Sequence, residues 1–127
     1  MNYFILAAAI VSLMAVLGHF TIGAKDFLRP IMNSETDEIP RYVMKSVFHY
    51  ISIFQVLTTL FLFLTAVEFN CILFELGSVA KFIGVIYAGF GIVQLIIAFN
   101  APIKGAAIKM FQWIFWFAIA ALVFIGL

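Results

Sequence analysis

Two histidines, His19 and His49, are the side chains within the apolar stretches of this sequence best suited to ligate a haem or a metal ion. His19 lies about one helical turn before the end of the first apolar stretch, and His49 about one turn into the second. On antiparallel neighbouring helices the two imidazoles would lie at similar depth, as they do when a helix bundle clamps a b-type haem. Ser12 and Ala15, small and on the same face as His19, would leave room for the macrocycle. A quinone between the same two histidines is a related possibility. A bare metal ion is not expected, because two histidines without a carboxylate or thiol make a poor cage.

The same pair also belongs to a longer polar arc. Ser46, Ser52, Gln55 and Thr59 continue along the second apolar stretch, and Gln112 enters from the fourth at comparable depth. With Arg41, Lys45 and Ser46, the histidines could form a polar notch that receives a lipid headgroup at the inner leaflet. A third reading makes them structural, hydrogen-bonding across helices and tying a bundle together. The residues alone leave these readings open. No catalytic residue is assigned, since Gly-rich phosphate loops and the GxSxG, HExxH and CxxC motifs are all absent. Asp26 is the only acid near either histidine that could complete a hydrolytic triad, and it belongs to a loop. No Asp, Glu, Lys or Arg falls in the middle of an apolar stretch, which removes the coupling charge that ion pumps and voltage sensors need. A facilitator of a small neutral solute needs no such charge and stays open.

Composition dictates which elements must position these groups. Hydrophobic residues make up 66% of the 127-residue chain and charged residues 10%, more oil than a globule this small can bury. Lipid is therefore the expected solvent. Charged residues delimit four spans near 3–24, 46–67, 77–99 and 105–127, joined by a polar loop at 25–45. Each span has close to the ~20 residues that a helix needs to cross the hydrocarbon. Helices are required because lipid cannot satisfy exposed backbone amides. The expected fold is thus all-α, an integral membrane four-helix bundle forming a single domain over residues 1–127. Met1-Asn2-Tyr3 carries no basic side chain, so the first span reads as a retained helix rather than a secretory leader. Cys71 is the single cysteine, so no internal disulfide can form.

Lys25, Arg29, Arg41, Lys45, Lys104 and Lys109 fall on two loops, leaving only Lys81 of the seven basic residues elsewhere. That bias places both loops in the cytoplasm, with the N- and C-termini both periplasmic. Pro30 is expected to end the helical tail that begins at Lys25. Ser34 with Asp37 reads as an N-cap pair, and Pro40 suits the first turn of the next helix. Either a short amphipathic piece along the membrane surface or a solvated charged loop is expected between them. A small-residue stripe on the third span, including Gly84, Ala88 and Gly91, offers close backbone approach. The first span has a shorter stripe that includes Ser12 and Ala15. Phe111, Trp113, Phe115, Trp116 and Phe117 crowd the start of the fourth span. An aromatic face on one helix and a small-residue groove on another suggest contacts between copies, closed as a ring such as a trimer.

The run Gly18-His19-Phe20 with Gly23, then Arg29-Pro30, then Val47-Phe48-His49-Tyr50, resembles small bacterial inner-membrane proteins with four transmembrane helices. The likeness covers about the first sixty residues; beyond them it is one of hydropathy alone. The Phe- and Ile-rich composition is similar to that of an Acinetobacter-type trimeric envelope protein. The resemblance implies a homo-oligomeric, multi-pass inner-membrane protein that binds lipids and supports cell-envelope integrity. It implies no cofactor and no catalytic residues. Nucleic acid is not an expected partner, since the net charge is only +1 and there is no basic patch.

Overall fold

The computed structural model describes residues 1–127 as helices and short connections, with no strand. Helix α1 runs Tyr3–Met32, α2 runs Glu38–Ala66 and α3 runs Leu76–Asn100. All three are long and apolar enough to cross a membrane. They are followed by a single turn, α4 (Ala106–Lys109), and a shorter apolar helix, α5 (Trp113–Gly126).

Two expectations about span boundaries are corrected. The loop at 25–45 shrinks to residues 33–37, because α1 continues through Lys25, Arg29 and Pro30 to Met32. Over His19–Leu28 the helix widens to π-helical winding, and the Arg29 amide bonds back to the Ala24 carbonyl. Returning from that five-residue step to α-helical winding leaves a carbonyl without a donor, so a proline at position 30 removes little. Pro30 is thus accommodated where the hydrogen-bond register changes, and no separate surface helix forms. Ser34 does not cap α2. Its hydroxyl donates to the Ile31 carbonyl and lies 3.1 Å from the Thr36 hydroxyl, closing the end of α1 instead. Asp37 takes the N-cap position without a side-chain bond, while Pro40 does occupy the first turn of α2.

The second correction concerns residues 105–127, which do not form one continuous helix. Gly105 adopts φ +72°, a left-handed conformation that costs other residues more than glycine. The chain then turns again through Met110–Gln112 before α5 begins. At 14 residues, α5 is about 21 Å long, shorter than a ~30 Å hydrocarbon core.

The four long elements form a square. α1 packs on α2 and α5, α3 packs closely on α5 and more loosely on α2, and the diagonals do not touch along their backbones. Ile5, Leu62, Tyr87, Ile119 and Val123, one or more from each corner, are fully buried at the centre. The small residues of α3 serve this packing. A Cβ on Gly91 would stand 2.8 Å from the Phe117 ring, and one on Gly84 would stand 3.1 Å from Val123. Ala88 packs against the same core, and Ser12 and Ala15 of α1 are buried. The groove that the sequence offers to a neighbouring copy is therefore filled by α5 of the same chain.

Both termini share one end of the square. Asn2 accepts from the Ile5 amide to cap α1, donates its own amide to the Ala66 carbonyl (2.8 Å), and donates its side-chain amide to the Gly126 carbonyl (2.5 Å). One asparagine thus ties the start of α1 to the ends of α2 and α5. At the same end Glu75 caps α3, accepting from the amides of Gly77 and Ser78. Hydrogen bonds from the Ser78 hydroxyl and amide hold the Glu75 carboxyl below the usual carboxylate range. Only 25 of the 127 residues are buried, so most large apolar side chains face outward and need an apolar surrounding.

Candidate functional site

Because α5 starts only at Trp113, the half of the α1–α2 pair far from the termini lacks a full-length fourth neighbour. A cavity of about 310 Å³ opens there between α1, α2 and the 111–116 segment. Its size falls at the lower end of the range for small-molecule sites. Ala15, Gly18 and Gly23 keep the α1 wall low, and a Cβ added at Gly18 would meet nothing within 4 Å. Five aromatic rings, from Phe27, Phe48, Phe111, Phe115 and Trp116, shape the remaining walls. The polar groups on the lining are His19, Gln55 and Gln112, and no Lys, Arg, Asp or Glu reaches it.

Each polar group is positioned differently. His19 stacks on the Phe48 ring, centroids 3.9 Å apart and planes 16° from parallel. Its Nε2 lies 2.8 Å from the Ser52 hydroxyl and 3.2 Å from the Phe48 carbonyl. With the proton on Nε2 the ring donates toward the Phe48 carbonyl and Ser52; with the proton on Nδ1, Nε2 accepts from the Ser52 hydroxyl instead. Ser52 in turn donates to the Phe48 carbonyl at 3.0 Å.

Gln112 accepts from Gln94 Nε2 at 2.7 Å. Gln94 also donates to the Met110 carbonyl and accepts from Trp116 Nε1 at 2.9 Å. One side chain of α3 therefore fixes both the break before α5 and the tilt of the cavity's indole wall. Gln55 is the exception. Its side chain is 97% buried, yet Oε1 has no hydrogen-bond partner.

Above the cavity a hydroxyl network crosses the bundle. Ser12 and Thr59 lie 2.7 Å apart, Thr58 and Tyr87 2.8 Å apart, and Tyr87 stacks on Trp116 with centroids 5.4 Å apart. Tyr87 is absent from the sequence-based candidates although it joins three helices. The available signal was its isolation as a lone tyrosine inside the small-residue stripe of α3.

The structure divides the candidate residues into two groups. His19, Gln55 and Gln112 line the cavity and Ser52 holds His19. Arg41, Lys45, Ser46 and His49 do not reach it. His49 is exposed and meets the edge of the Phe48 ring. Ser46 donates to the Tyr42 carbonyl, Lys45 sits over the Tyr42 ring, and Arg41 donates to the Met32 carbonyl. The notch combining these four with His19 is not assembled. His19 Nε2 is engaged by Ser52 and Phe48, and His49 does not line the cavity that His19 lines. No group of three or more His, Cys, Asp or Glu forms a metal cage.

What the site can do chemically is hold an apolar body against aromatic walls and hydrogen-bond a small uncharged end. Comparison of this chain with protein-family models, curated proteins and solved structures found no match.

Proposed function

We propose that this chain is a non-enzymatic, multi-pass protein of a bacterial inner membrane that binds lipids in its lateral cavity and supports envelope integrity. The observation that carries this reading is the aromatic-walled cavity of about 310 Å³ beside a single buried, unpartnered amide. Such a site suits an amphiphile entering from surrounding hydrocarbon better than a water-borne polar substrate. The large outward-facing apolar surface supports a bilayer setting, and the distribution of Lys and Arg favours the 33–37 and 101–112 connections inside with both termini outside. Self-association as a trimer, implied by the sequence resemblance, would use the outer faces of the bundle, since α5 occupies the groove of α3.

Two measurements test the reading. In a Cys71→Ser background, cysteines at positions 36 and 104 should resist a membrane-impermeant maleimide in intact cells, and a cysteine at 70 should react. Purified protein washed extensively in detergent should retain about one lipid per chain, the stoichiometry expected for one lateral site. Labelling at 36 or 104 contradicts the orientation, and protein that washes bare contradicts lipid binding.

A further inference from the structure

We infer that the cavity recognises an apolar ligand by an uncharged, hydrogen-bond-accepting carbonyl, the acyl ester of a lipid or the ring carbonyl of a quinone; this rests on the lipid-binding reading above. Three observations converge on that chemistry. First, Gln112 lines the cavity with its oxygen already used, and a relay of bonds fixes which atom that is. The Trp116 indole only donates and the Met110 carbonyl only accepts, so Gln94 turns Oε1 to the first and Nε2 to the second. That same Nε2 meets Gln112 at 2.7 Å, which makes the Gln112 atom an acceptor and leaves its amide NH2 group without a partner in the chain. Secondly, Gln55 of α2 repeats the pattern. The residue is only 3% exposed, Oε1 is sealed, and Nε2, the amide atom left open, has no partner either. Thirdly, the lining carries no charged side chain, so a phosphate or carboxylate would enter without a counter-charge. An ester or ketone brings an acceptor with no net charge.

The unmet demand of the two amides is therefore on the donor side. A plain hydrocarbon fills the space between Phe27, Phe48, Phe115 and Trp116 but leaves both NH2 groups unsatisfied, which costs free energy in an apolar surrounding. A carbonyl oxygen has two lone pairs and relieves that cost. The hydrocarbon part of the ligand supplies affinity, and the amides supply the choice.

The test uses the full chain in dodecyl maltoside, a detergent without carbonyl groups, with equilibrium dialysis against empty micelles to subtract simple partition. Two matched pairs serve as probes: methyl decanoate with decyl methyl ether, and 4-heptylacetophenone with 1-ethyl-4-heptylbenzene. Each pair keeps its length and differs by the carbonyl. The expected result is saturable binding of a carbonyl probe roughly tenfold tighter than its counterpart, the scale of one buried hydrogen bond. For the ester, whose carbonyl stretch lies clear of the protein amide bands, binding also moves that stretch to lower frequency. The preference should fall in Gln55→Leu and in Gln112→Leu and vanish in the double variant; Gln55→Met and Gln112→Met replace them should either not fold. Preference within the ester pair names an acyl lipid as the source, and preference within the ketone pair names a quinone-like ring. Equal affinity within both pairs overturns the proposal while leaving the lipid-binding reading intact, and a preference that survives the double substitution overturns it as well. Absence of saturable binding by all four probes also overturns it, and removes the lipid-binding reading too when the washed protein is bare of lipid.

Discussion

Gln55 is where burial and hydrogen bonding conflict most clearly. A buried amide oxygen without a partner weakens the empty protein, so replacing it with an apolar side chain of similar size removes a penalty. Gln55→Leu should therefore leave thermal stability unchanged or raise it, by up to about 1 kcal/mol. Thermal unfolding in detergent checks that statement. Gln94 makes the opposite case, because all of its bonds are made inside the chain. Gln94→Leu strands the Trp116 indole N–H and the Met110 carbonyl, and should cost about 1–2 kcal/mol, given that hydrogen bonds between membrane helices are individually weak. A fall in unfolding temperature with a shift in tryptophan emission is the expected signature; an unchanged spectrum would mean that Gln94 does not hold the indole.

At the scale of the helices, close approach of α3 and α5 depends on two glycines. Gly91→Ala places a methyl 2.8–3.0 Å from three atoms of the Phe117 ring, so the ring or the helix has to move. The expected loss is ~1–3 kcal/mol, the usual range for overpacking, read as a lowered unfolding temperature. The cap of α3 gives a dependence on pH. Since hydrogen bonds from Ser78 lower the folded-state pKa of Glu75, its contribution is complete above the ordinary carboxylate range. It is lost as pH falls through that range to the lowered folded value. The stability difference between wild type and Glu75→Ala should therefore be constant near neutrality and narrow on acidification; a difference that widens in acid would contradict the capping role.

For the molecule as a whole, hydropathy made the helical class and three long spans legible, because lipid-compatible helices need little beyond length and apolarity. The exact ends of those spans were hidden for identifiable reasons. Lys25 and Asp26 look like a span terminus, yet a helix can run past its apolar segment, and Pro30 falls where π-winding has already disturbed the ladder. The break before α5 depends on Gln94 reaching from another helix, a long-range contact that no local pattern announces. The candidate site was half legible for the same reason. The polar arc of α2 was visible, but which of its members face inward follows from the angle at which α1 and α5 meet it. His49 and Ser46 fall outside and Ser52 and Gln55 inside, although all four lie on one helix within ten residues. The sharpest test exploits Gly18, whose missing side chain leaves open space on the cavity wall. Gly18→Leu should fill that space while favouring helix, so the fold is kept. Native mass spectrometry of detergent-released protein is expected to find an amphiphile-sized adduct on the wild type and none on Gly18→Leu. An adduct of equal occupancy on both proteins would contradict the cavity as the binding site.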